Sequence, residues 1–137
     1  MKGTYIIVIF LKQKTRIKIG ALGIIPFDRG FYLYIGSGMG DSGSSTLENR
    51  IKRHIQPSQK KKFHWHIDYL LNSENSILKT IFLIPFSQKI ECALARDLLQ
   101  VSDGFINKFG SSDCNCKSHL LYFKEFKELS KILQKEE

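Results

Sequence analysis

Cysteine is scarce in this 137-residue sequence, and its count is odd: Cys92, Cys114 and Cys116. Three thiols cannot close a disulfide framework, so a packed core must hold the fold, and a reducing, cytoplasmic setting is expected. Long apolar runs are also missing. Tyr5 to Leu11 is too short to cross a bilayer and lacks a small-residue cleavage site, so neither a membrane span nor a secretory leader is expected. No internal repeat or low-complexity linker occurs, which excludes solenoids and tethered arrays. Negative charge is in short supply, with 13 Asp+Glu against 21 Lys+Arg and a net charge of +8. Such an excess favours a polyanionic partner, nucleic acid or an acidic membrane surface, although surface charge also serves plain solubility.

What is present is an ordinary globular composition, 42% hydrophobic, in a chain long enough for one domain with its own core. Gly3 to Leu11 is apolar on both alternating faces and reads as a central strand covered on both sides. Arg16 to Ala21 alternates charge with apolar residues, the pattern of an edge strand with one wet face. Phe31 to Ser37 is aromatic and β-branched; it is expected to close an antiparallel meander with these two. After the glycine- and serine-rich loop 38–45, Ser45 or Thr46 is placed to cap a helix reaching Ile55, with Leu47, Ile51 and Ile55 as its buried stripe. Further helices are expected over Phe63 to Leu71 and Gln88 to Val101, with a strand at Ile77 to Pro85 between them. Phe105 to His119 reads as a loop-like tail, and 124–137 as a charged helix packed on a domain spanning 1–123. The fold class is therefore α+β, a small central antiparallel sheet flanked by helices.

Several residues stand out chemically. Tyr34 ends a strand beside Gly36 and Ser37, where a phenol and a close backbone approach can meet a phosphate; a Tyr-rich core strand with a mobile turn has the same local pattern. Projected at about 100° per residue, Arg50 and His54 fall on the shoulder of their helix between core and solvent. Arg50 there is either an anion clamp or a snorkelling surface arginine. Glu91 falls within the apolar stripe Ile90, Leu94, Ala95, Leu98 and Val101. A carboxylate there is costly unless it is paired, Arg50 being one candidate, or bound to a metal. His64 and Asp68 share a helix face, a pairing that fixes an imidazole tautomer more readily than it makes a metal site. Cys114, Cys116 and His119 invite a zinc or thiol reading, but they are only three local ligands without the paired spacing of structural zinc sites.

Gly3-Thr4-Tyr5 and Tyr34-Ile35-Gly36 resemble the two halves of the GIY-YIG nuclease signature. The likeness continues through Leu47-x-x-Arg50-x-x-x-His54 and Glu91, in the order that superfamily uses. It is closer still to a small subfamily catalogued as a domain of unknown function, which shares the His64-Trp65-His66-Ile67-Asp68-Tyr69-Leu70 block, the Glu91-Cys92-x-Leu94-Ala95 block and the Gly110 to Leu120 segment. Thr4 stands where the wider superfamily has Ile, and Asn107 is the candidate counterpart of its late asparagine.

The resemblance implies a phosphodiester hydrolase acting on DNA, an endonuclease of repair or structure-directed type. Tyr5 or Tyr34 would position or deprotonate the attacking water, and Arg50 would hold the non-bridging oxygens. Glu91 would bind one Mg²⁺ or Mn²⁺. His54 would serve as a second contact or proton donor, and Gly36 and Ser37 would admit the substrate backbone. Lys52, Arg53, Lys60, Lys61 and Lys62 would grip flanking phosphates. So small a domain has little surface for reading sequence, so a protein partner or a fused domain is expected to supply specificity. The alternative is a non-catalytic nucleic-acid-binding module on the same scaffold.

Overall fold

The computed structural model describes residues 1–56, 63, 65–112 and 114–125. β1 (Gly3–Leu11) is buried at every position but Phe10. Its two-sided apolar pattern is explained by its place in the sheet: it lies between β4 (Gly30–Gly38) and β5 (Ser76–Pro85), antiparallel to both. β7 (Leu120–Phe123) adds to the far side of β4, and the two-residue β6 (Gly104–Phe105) completes a five-stranded antiparallel sheet in the order β5-β1-β4-β7-β6.

The expected meander is corrected here. β4 and β5 already occupy both edges of β1, so the charged strand has no edge to join. It is trimmed to β2 (Thr15–Lys18) and pairs with β3 (Ile24–Phe27) as a separate two-stranded sheet. Ile19 and Phe27 from this hairpin are nonetheless fully buried in the main core.

Helices cover both sheet faces. α1 (Leu47–Ile55) and α2 (His66–Leu71) pack with the hairpin on the face bearing Tyr5, Ile7, Ile9, Tyr32 and Tyr34. α3 (Glu91–Val101) lays Leu94, Ala95 and Leu98 on the other face, against Ile6, Val8, Leu33 and Ile35. Thr46 caps α1, its hydroxyl accepting the Asn49 N–H at 3.2 Å. The inward residues of α1 are Leu47 and His54, while Ile55 is 53% exposed. Helical drift accounts for this: seven residues return to within about 20° of the start, whereas eight overshoot by about 80°.

α2 begins at His66 rather than Phe63, and α3 at Glu91 rather than Gln88. The second shift matters, because it makes Glu91 the first residue of the helix instead of the fourth, and a carboxylate there suits the positive end of the helix dipole. The sequence reading missed β7, a short apolar run without alternation that becomes a strand by pairing with Phe31–Tyr34. The C-terminal helix expected over 124–137 lies, from residue 126 onward, outside the described residues. Among the described residues no helix is long and apolar enough to cross a membrane.

Candidate active site

Where β1 begins and β4 ends, a cleft of about 480 Å³ is lined by Tyr5, Tyr34, Gly36, Ser37, Arg50 and Glu91. These come from two adjacent strands, from α1 on one face of the sheet and from α3 on the other. Trp65, His66 and Lys89 also line it.

Tyr5 and Tyr34 stand on the same sheet face with ring centroids 6.2 Å apart. Their hydroxyls have different partners. Tyr5 Oη lies 2.9 Å from His54 Nε2, and His54 Nδ1 lies 3.2 Å from Asp68 Oδ1. A carboxylate accepts only, so Nδ1 of a neutral His54 carries the proton to Asp68 and Nε2 accepts from the Tyr5 hydroxyl. Asp68 is fully buried; its Oδ2 accepts the Trp65 N–H at 2.9 Å and pairs with Arg53 Nη2 at 3.2 Å. Tyr34 Oη makes no hydrogen bond among the described residues. Burial pushes both phenols well above the ordinary tyrosine pKa, with Arg50 pulling the other way.

Gly36 faces Tyr5 directly across the β1–β4 ladder. A methyl there would fall inside the Tyr5 ring, so the glycine is required by the phenol's position as well as by any substrate approach. Gly36→Ala is expected to displace the ring from His54 and to cost about 1–3 kcal/mol, the ordinary penalty of overpacking. Thermal melting against Gly104→Ala, where a methyl meets nothing nearer than 3.9 Å, checks this.

Ser37 joins the cationic and anionic sides of the cleft. Its carbonyl accepts from Arg50 Nη1 at 3.0 Å, and its hydroxyl donates to Glu91 Oε1 at 3.0 Å. The Arg50 guanidinium also stacks on the Trp65 ring, 5.0 Å from its centroid. This holds the fork while leaving most of its donors unused among the described residues. Glu91 therefore does not pair directly with Arg50. Its near cation is Lys89, with Nζ 3.2 Å from Oε1, and its Oε2 lies 3.8 Å from His119 Nδ1.

Four of the expected catalytic residues, Tyr5, Tyr34, Arg50 and Glu91, line the cleft together. His54 stands behind Tyr5, 2% exposed, rather than in the cleft. Lys52 is exposed and Arg53 is turned to Asp68; neither lines the cleft. Lys60, Lys61 and Lys62 lie outside the described residues, as does His64, so the expected His64–Asp68 pairing does too. Asn107 is exposed and does not line the cleft. The sequence reading missed Asp68 as the partner of His54, Trp65 as the arginine's platform, and His66, which burial biases toward the neutral ring and which accepts the Gly110 N–H at 2.8 Å.

A five-stranded antiparallel sheet carrying a tyrosine–arginine–carboxylate cleft makes this a small α+β protein. The chain belongs to the family described as domain of unknown function DUF123, whose model matches residues 4–136. No curated protein and no solved structure matches it.

Proposed function

We propose that the protein is a divalent-metal-dependent phosphodiesterase acting on DNA, of the GIY-YIG nuclease kind. The observation that carries this reading is the meeting of Tyr5, Tyr34, Arg50 and Glu91 in one cleft. A net charge of +8 supports a polyanionic substrate.

The chain's own groups divide the work. Burial disfavours a stored phenolate at Tyr5, so proton transfer is best run as a relay. The attacking water gives a proton to Tyr5 Oη as the phenol gives its own to His54 Nε2, and Asp68 stabilises the resulting imidazolium through Nδ1–H. Tyr34 donates to the incoming water or to a phosphate oxygen. Arg50 holds the non-bridging oxygens with its planar fork.

A hard divalent ion suits Glu91: the carboxylate offers oxygen alone, Mg²⁺ accepts one protein carboxylate with water and phosphate oxygens around it, and the Lys89 side chain, 58% exposed, can swing aside. Mg²⁺ or Mn²⁺ held there would polarise the phosphate and stabilise the departing oxyanion. Sequence or structure specificity would come from a partner protein.

The test is a panel of branched, flapped, single- and double-stranded DNA with Mg²⁺ and Mn²⁺. Metal-dependent nicking is expected, falling about 10²-fold or more in Tyr5→Phe while DNA binding persists. Salt-sensitive binding without cleavage of any substrate would overturn the reading in favour of a non-catalytic binding module.

A further inference from the structure

Beside the cleft, on the outer side of Glu91, the fold gathers all three cysteines and a histidine. Cys92 follows Glu91 in the first turn of α3, Cys114 and Cys116 sit in the loop before β7, and His119 immediately precedes that strand. One ligand atom from each of the four lies within 4.8 Å of all the others. His119 Nε2 is 3.7 Å from Cys92 Sγ and 3.6 Å from Cys114 Sγ. A tetrahedral zinc ion with Zn–S near 2.3 Å and Zn–N near 2.0 Å holds its sulfur and nitrogen ligands about 3.5 Å apart. Both of these nitrogen–sulfur separations thus match a Cys₃His zinc shell, and the remaining ligand atoms lie close enough to draw onto one ion. The thiols are all free, and three cannot satisfy one another as disulfides. The loop's two cysteines and histidine lack a fourth ligand only in sequence; folding supplies it from α3.

We propose that Cys92, Cys114, Cys116 and His119 hold one zinc ion in a closed structural site that clamps the first turn of α3, and with it Glu91, to the wall of the cleft. Four protein ligands fill the tetrahedron, so no position remains for water or substrate, and the ion does no chemistry on phosphate. Binding releases the three thiol protons to solvent. With Nε2 on the metal, His119 carries its proton on Nδ1, which faces Glu91 Oε2 at 3.8 Å. A carboxylate that closes on a ligating imidazole to hydrogen-bond distance fixes the ring's orientation, and Glu91 Oε2 stands just beyond that distance. His119 is itself pinned by its backbone: its N–H donates to the Phe109 carbonyl at 2.8 Å and its carbonyl accepts the Ile35 N–H at 3.0 Å. The clamp therefore connects Glu91 to the strand that carries Tyr34.

The test uses the full chain, produced with zinc in the medium and purified without chelator. Elemental analysis is expected to give one zinc per chain, and the Cys114→Ser/Cys116→Ser variant to lose it. Cobalt substitution is expected to bring thiolate-to-cobalt charge-transfer absorption and intense tetrahedral d–d bands. Should the double variant fail to fold, the wild type still decides: zinc added after chelator stripping is expected to take the count of reagent-accessible thiols from three to none. Zinc-free protein whose thiols react equally with and without added zinc overturns the proposal, as does a disulfide joining two of them. These measurements contain no DNA, so a failure of cleavage and a failure of zinc binding are separate results.

Discussion

Arg50→Ala is expected to slow metal-dependent DNA cleavage by about 10²–10³-fold with the melting temperature little changed, the loss typical of removing one preorganised charge stabiliser. The activity loss follows from position. The guanidinium is held between the Trp65 ring and the Ser37 carbonyl, so on the proposed function its remaining N–H donors would be in place for a phosphate whose charge grows in the transition state. The small effect on folding follows from burial: the side chain is only partly buried, and no carboxylate among the described residues pairs with it. Arg50→Lys should not restore the rate, because an ammonium neither stacks on Trp65 nor grips two oxygens in a plane. Trp65→Ala gives an independent reading, since it leaves the charge and removes only the platform; it should raise the KM and lower kcat by less than the arginine deletion. Cleavage by Arg50→Ala within a few-fold of wild type would remove the arginine from the chemistry.

The elements best read from sequence were those whose residues decide their own environment. β1 is apolar on both faces because it is central, and its pattern needs no partner to be interpreted. Tyr34, Arg50 and Glu91 stood out because each is a residue type at odds with its local setting, a phenol beside glycine or a charge beside an apolar stripe, whereas Tyr5 came only from the family resemblance of Gly3-Thr4-Tyr5. What was hidden depends on chain crossings. The place of β2 was set by β4 and β5 having already taken both edges of β1, which no local pattern reveals. The sequence pattern offered Asp68 a partner on its own helix and gave no sign that its carboxylate also reaches across to α1 and His54. Cys92 was not counted with Cys114, Cys116 and His119 because those three lie on a loop distant in sequence, which reaches α3 only in the fold. Helix starts were also late by three residues at α2 and α3, since apolar spacing continues through the turns that precede them.

Asp68 is where folding and chemistry are expected to separate. Its carboxylate is fully buried and receives the Trp65 N–H, the His54 ring and the Arg53 guanidinium. Asp68→Ala removes these three contacts and takes one buried acceptor from the imidazole and the arginine, so a loss of about 3–5 kcal/mol is expected, measured by urea unfolding. Asp68→Asn keeps the shape and can still accept from Trp65, but it alters the proton bookkeeping. An amide nitrogen turned toward His54 Nδ1 makes that atom the acceptor, which drives the ring proton to Nε2. His54 then donates to Tyr5 instead of accepting from it, and the phenol has nowhere to send its proton. The Asn variant should therefore keep much of the stability that Ala loses while cleaving DNA more slowly by a factor on the order of 10³–10⁴, as found where a buried aspartate sets a catalytic histidine's tautomer. If the Asn variant instead cleaves as fast as wild type, the Tyr5–His54–Asp68 chain is a packing device, and the base must be Tyr34 or a metal-held water. Stability lost equally in both variants, with activity falling in step, would point to the same conclusion.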